Sequence, residues 1–214
     1  MRYIIMCGGT YPAWERPRQL IEIHGEPIVA RTIRLLREAG VEDIAISSRD
    51  PAFEGFGVPV LRHRNDHVTF GYNNCTGYWC DCFFPANAPT CYIFGDVIFS
   101  PEAIRTIVDY QTDDIMLFGS APPFAPEYPK KWIEPFAFKV QNYDHLSRAI
   151  EQVKRMDAAR MFHRHPIAWE VWAVIRGGNP NSTDTTSYIA INDYTCDIDR
   201  PEEAAHIEGG IYAV

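Results

Sequence analysis

Tyr3-Ile4-Ile5-Met6 running into Cys7-Gly8-Gly9, with Pro17-Arg18-Gln19-Leu20 eight residues further on, is the stretch on which the fold turns. A short apolar run closed by paired glycines reads as a buried strand opening onto a loop. The glycines let backbone amides approach a ligand without side-chain obstruction, and a nearby arginine supplies charge for a phosphate. Paired glycines after a strand also form ordinary turns, so the rest of the chain has to decide between cradle and turn.

Working outward, Leu20-Ile21-Glu22-Ile23 reads as a short strand, and Gly25-Glu26 leads into a helix with Pro27 at its first position. Ile28, Val29, Ile33, Leu36 and Ala39 share one helical face, and Gly40 stands where a C-terminal cap belongs. Asp43 to Ser47 is a second core strand. Strand, helix and strand at this length suit a parallel crossover and therefore an α/β architecture. Val58 to Leu61 reads as a third short strand and Gly71 to Phe83 as a helix. Thr90 to Phe94 is an apolar strand ending at Gly95-Asp96, and Ser100-Pro101-Glu102 opens a helix. Asp96 thus falls at a strand's carboxyl end, the edge where open α/β sheets bind ligands; a turn-stabilising role is the alternative. Strands follow at Asp114–Phe118, Glu134–Val140 and Tyr188–Ile191, with helices at Leu146–Val153, at Pro166–Ile175 and after Asp197-Ile198-Asp199-Arg200-Pro201.

The 214 residues, 46% hydrophobic and 13% aromatic, are enough for one sizeable core. The net charge of −8 and the lack of any dense Lys/Arg run argue against nucleic-acid backbone or anionic membrane as partner. No apolar run reaches the roughly 20 residues of a membrane span, and Met1-Arg2-Tyr3 shows no signal-peptide profile, so a cytoplasmic setting is expected. The six cysteines are read as free thiols, since Cys75, Cys80, Cys82 and Cys91 do not reproduce the paired knuckles of structural zinc sites.

Together, the Gly8-Gly9 loop, Pro17-Arg18-Gln19-Leu20, Gly25-Glu26-Pro27, Gly95-Asp96 and Asp197 to Glu203 resemble, in order across nearly the whole chain, the nucleotidyltransferases of the sugar-phosphate and alcohol-phosphate type, with a MobA-like NTP transferase fold. Within that family the small cytidylyltransferase-like enzymes look closest. The resemblance implies a three-layer, Rossmann-like (GT-A-like) mixed, mainly parallel sheet with helices on both faces and a small acceptor-binding lobe. It implies one domain over residues 1–214, with a nucleotide-binding half (1–120), an acceptor-binding lobe (121–185) and a return to the core sheet (186–214).

It also implies a reaction: a nucleoside triphosphate, CTP or UTP favoured, is coupled to a phosphorylated small-molecule acceptor with release of pyrophosphate. Charge crowds such a transition state, so Mg²⁺ and fixed cations matter more than a general base. By family position Arg18, Asp96 and Asp199 are the catalytic candidates. Asp96 and Asp199 are the expected metal ligands, with Asp197 competing because residues two apart on a strand share a face. Met6, Cys7, Gly8, Gly9, Thr10, Arg16, Arg18 and Asn73 are expected at the nucleotide, and Lys131 and Glu134 at the acceptor. The chain departs from the family's first loop in lacking a third glycine, and Arg18 stands where a lysine is usual. A non-catalytic nucleotide-binding homologue and a GT-A-type glycosyltransferase are the rival readings, and the protein is expected as a monomer or homodimer.

Overall fold

The computed structural model describes residues 1–8, 14–63, 79–120, 133–162, 166–181 and 187–208. Strand β1 (Arg2–Met6) is followed by two two-residue strands, β2 (Glu22–Ile23) and β3 (Glu26–Pro27), then helix α1 (Ile28–Glu38), β4 (Ile44–Ser47) and β5 (Val60–Leu61). The chain continues through β6 (Thr90–Phe94), β7 (Val97–Ile98), α2 (Pro101–Asp109), β8 (Ile115–Ser120), β9 (Pro135–Val140), α3 (Tyr143–Ala158) and α4 (Ala168–Ile175). It closes with β10 (Ile189–Ile191), β11 (Cys196–Asp197) and α5 (Pro201–Glu208).

Seven strands form one sheet in the order β10-β8-β9-β6-β1-β4-β5. All neighbours pair in parallel except those of β9, which runs antiparallel between β8 and β6. The alternation of a strand buried on both faces sorts β1 into two cores. Tyr3, Ile5 and Cys7 pack with α1 and α2 residues such as Val29, Ile33, Ile104 and Ile107. Ile4 and Met6 face Leu146, Ile150, Val153 and Val171 of α3 and α4 on the other side. Helices on both faces of a mainly parallel sheet make the expected three-layer architecture.

A third cluster of Ile21, Ile23, Ile28, Ile98, Cys196, Ile198 and Ile207 joins the early and late parts of the chain. Two small antiparallel pairs, β11 with β7 and β2 with β3, hold its strands. Local signals act as expected in two helices. Ser100 Oγ accepts the Ala103 amide at 2.8 Å to cap α2. Gly40, at φ +82°, ends α1 with its amide on Arg37 O and the Val41 amide on Leu36 O, the two bonds of a Schellman motif.

Three expectations shift. Pro27 precedes α1 instead of opening it, because its extended backbone (ψ 140°) pairs with Glu22 in the β2–β3 hairpin. The strand expected from Leu20 is two residues long, preceded by a 3₁₀ turn over Arg18–Leu20 that buries Gln19. Of the helix expected over 71–83, residues 71–78 lie outside the described residues and Trp79–Cys82 form a 3₁₀ turn. Cys7, Cys80, Cys82, Cys91 and Cys196 are buried. No helix among the described residues is long and apolar enough to cross a membrane.

Candidate active site

The site is built where β1 and β6 end side by side. The Gly95 amide donates to Met6 O at 3.1 Å, so the turn after β6 is closed directly against the end of β1. A Cβ on Gly95 would stand 2.6 Å from Met6 O and 2.8 Å from Cys7 Sγ, so this position admits only glycine, and it delivers Asp96 to the sheet edge. Asp96 is 8% exposed, and its carbonyl receives the Ile198 amide at 3.0 Å. That bond brings the segment carrying Asp197, at the end of β11, and Asp199 alongside, although the two acids follow Asp96 by about a hundred residues.

Arg18 ties the acids together. Its Nη1 donates to Asp199 Oδ1 at 2.5 Å and to the Ile198 carbonyl at 3.1 Å, while Nη2 pairs with Asp96 Oδ2. A planar fork meets the two carboxylates through separate nitrogens in this way, where an ammonium would have to serve both from a single atom. The arginine side chain is 14% exposed and sits on the 3₁₀ turn whose Leu20 amide returns to Pro17 O at 2.9 Å. Asp199 is held at its backbone as well. Its amide donates to Glu203 Oε2 at 2.7 Å, and its carbonyl accepts from Trp14 Nε1 at 3.0 Å.

Glu134, expected at the acceptor, is buried and close to the other acids: one oxygen each of Glu134, Asp197 and Asp199 lie within 4.8 Å of one another. Asp96 stands outside that trio and connects to it through Arg18. Glu134 is set by Ser120, whose Oγ accepts the Glu134 amide at 2.8 Å and whose amide donates to Glu134 O at 2.9 Å. Tyr188 Oη in turn donates to Ser120 O at 2.9 Å, and Trp169 Nε1 to Ile133 O at 3.1 Å.

Beneath Gly8 lies a second polar arrangement. The His63 ring sits between Ser47 Oγ, 3.0 Å from Nδ1, and Cys82 Sγ, 3.7 Å from Nε2. Burial pushes the Cys7 and Cys82 thiols well above the ordinary range, which makes them uncharged packing groups and not nucleophiles.

Of the residues singled out in the sequence, Arg18, Asp96, Glu134, Asp197 and Asp199 converge here. Met6, Cys7 and Gly8 form the adjoining strand end. Arg16 is exposed on the turn before Arg18. Gly9, Thr10, Asn73 and Lys131 lie outside the described residues. Sequence reasoning passed over Trp14, Ser120 and Glu203 as supports. Only Glu203 carries a local signal, since it lies three residues after Arg200 and accepts the Arg200 amide at 3.2 Å at the start of a proline-opened helix.

The family model for the MobA-like NTP transferase domain matches residues 3–168, from β1 into the start of α4. The chain belongs to this family. The NTP transferase match includes Arg18, Asp96 and Glu134, while Asp197 and Asp199 fall beyond it. No curated protein sequence matches the chain. Among solved structures, a putative glucose-1-phosphate thymidylyltransferase from Bacillus anthracis, in complex with a sucrose, is similar at a TM-score of 0.61 and 18% identity, over 100% of this chain and 96% of that one. HddC from Yersinia pseudotuberculosis, complexed with GMP-PN, is similar at 0.52 and 13% identity, over 97% of this chain and 98% of its own. The CMP:2-keto-3-deoxy-manno-octonic acid synthetase complexed with CTP gives 0.55 and 13%, over 97% and 96%. At such identities the likeness speaks for the fold alone, over nearly the whole of this chain.

Proposed function

We propose that this NTP transferase domain couples a nucleoside triphosphate, with CTP or UTP favoured, to a phosphorylated sugar or alcohol and releases pyrophosphate. The observation that carries the reading is the convergence of Arg18 with Asp96, Asp197, Asp199 and Glu134 at the carboxyl edge of β1 and β6, the edge where open α/β sheets bind ligands.

The donor set consists of carboxylate oxygens from two backbone segments, the turn after β6 and the stretch from Asp197 to Asp199, which suits a hard cation such as Mg²⁺. Asp96, Asp197 and Asp199 would hold it, and it would offset charge on the phosphates. Arg18 presents its fork to the phosphates that leave. The backbone around Met6 to Gly8 lines the donor where no side chain intervenes. Glu134, anchored at its amide by Ser120, accepts a hydrogen bond from an acceptor hydroxyl. The attacking phosphate is already ionised near neutral pH, so none of these residues has to act as a general base.

Purified protein incubated with Mg²⁺, each of the four common NTPs and a panel of sugar and alcohol phosphates is expected to release pyrophosphate with at least one pairing. Asp96→Asn is expected to lower the rate by about 10²-fold or more, the order seen when a transition-state charge loses its partner. Nucleotide binding by calorimetry with no pyrophosphate from any pairing would replace the enzyme with a non-catalytic binder.

A further inference from the structure

We infer that Arg18 and a divalent cation compete for the carboxylates of Asp96 and Asp199, so that movement of the guanidinium from these acids onto an anionic phosphate chain couples phosphate binding to cation binding. The inference rests on the nucleotidyltransferase reading for its ligands and on the geometry of Arg18 for its substance.

The guanidinium engages both acids and the Ile198 carbonyl at once. Asp199 belongs to two sets: it accepts from Arg18, and it lies within 4.8 Å of the oxygens of Asp197 and Glu134. An oxygen already neutralised by a guanidinium offers less to a cation, and two positive groups on one carboxylate repel each other. The backbone beneath Arg18 is fixed. Gln19 is 3% exposed, and the Leu20 and Ile21 amides close on Pro17 and Arg18 at 2.9 and 3.1 Å, so an exchange of partners falls to the side chain and not to the backbone. Arginine is suited to the exchange because its fork fits carboxylate and phosphate alike. Asp199 is secured independently, through Trp14 and Glu203, and keeps its place when the arginine leaves.

The test uses Mn²⁺ alone, followed by its electron paramagnetic resonance, on wild type, Arg18→Lys and Arg18→Gln without nucleotide. Affinity for Mn²⁺ is expected to rise in that order, by about tenfold from wild type to Arg18→Gln, as expected when a cation is removed from a shared carboxylate. The lysine variant keeps the charge and guards against loss of folding, which thermal unfolding reports in parallel. The reciprocal arm titrates inorganic tripolyphosphate in the presence of EDTA. Asp199→Asn, which releases one hold on Arg18, is expected to tighten binding several-fold more than Glu134→Gln, which removes an equal charge but no contact of Arg18. Mn²⁺ affinity that stays level or falls across the arginine series overturns the inference, and so does equal tripolyphosphate binding by the two acid variants. Neither arm involves a nucleotide or turnover, so failure to release pyrophosphate from any NTP removes the proposed reaction and leaves this result to stand or fall alone.

Discussion

Gly8 is confined by its neighbours on the opposite side of the strand end. A Cβ there would lie 1.9 Å from Cys82 Sγ and 3.3 Å from the His63 ring, while the backbone does not occupy the left-handed region, so the constraint is steric and not torsional. Gly8→Ala is therefore expected to cost about 1–3 kcal/mol through overpacking. Cys82→Ala removes the offending sulfur, so the double variant should recover most of that loss. Urea denaturation of the two single variants and the double variant gives the coupling directly. Additive costs would show that something other than the Cys82 contact excludes a side chain at Gly8. The same paired glycines, read from sequence alone, suggest room for a ligand's phosphates. The structure adds that at Gly8 the room is already taken on the inner side by a thiol held near His63, a contact that no local pattern encodes.

At the scale of elements, β9 shows how a charged residue can serve the core. Lys139 is 2% exposed and its Nζ donates to Ile107, Val108 and Tyr110 carbonyls at 2.9, 2.8 and 2.6 Å, collecting the C-terminal carbonyls of α2 at the negative end of that helix. Lys139→Met keeps the apolar stem and removes the donors. It is expected to destabilise by about 2–4 kcal/mol, the cost of leaving several buried acceptors unpaired. Amide exchange should place the loss at the end of α2, and uniform loss across the sheet would contradict the capping role. Elements of this size were legible where their signals are local. The apolar runs of β1 and β6, the Ser100 cap with Pro101 and the Gly40 stop each act through neighbours a few residues away. The pairs β2–β3 and β7–β11 were not legible, since a two-residue strand has no periodicity and exists only through its partner, in the second case about a hundred residues distant. The candidate site divides along the same line. Asp96 and Asp199 stand out by motif, whereas the approach of Glu134 to Asp197 depends on β9 entering the sheet in reverse between β8 and β6.

For the molecule as a whole, the decisive feature is that the site joins segments more than 180 residues apart in sequence. Arg18 reaches Asp199 across 181 residues and Trp14 reaches its carbonyl across 185, and the packing that makes this possible is the cluster of Ile21, Ile23, Ile28, Ile98, Ile198 and Ile207. Ile198 lies between the two acids in sequence, is fully buried and donates its amide to Asp96 O, so it belongs to the cluster and the site together. Ile198→Ala is expected to cost about 2–5 kcal/mol, as for other large-to-small changes in a packed core. Because the side chain packs the segment that carries Asp197 and Asp199 into this cluster, the same variant should bind Mg²⁺ and nucleoside triphosphate more weakly. Ligand at a hundred times its dissociation constant stabilises wild type by about 2.7 kcal/mol, and at that same concentration the variant should show a clearly smaller rise in unfolding temperature. Thermal unfolding with and without ligand measures both effects. An Ile198→Ala protein that melts lower yet gains as much from ligand as wild type would separate the packing of these distant segments from the geometry of the acids.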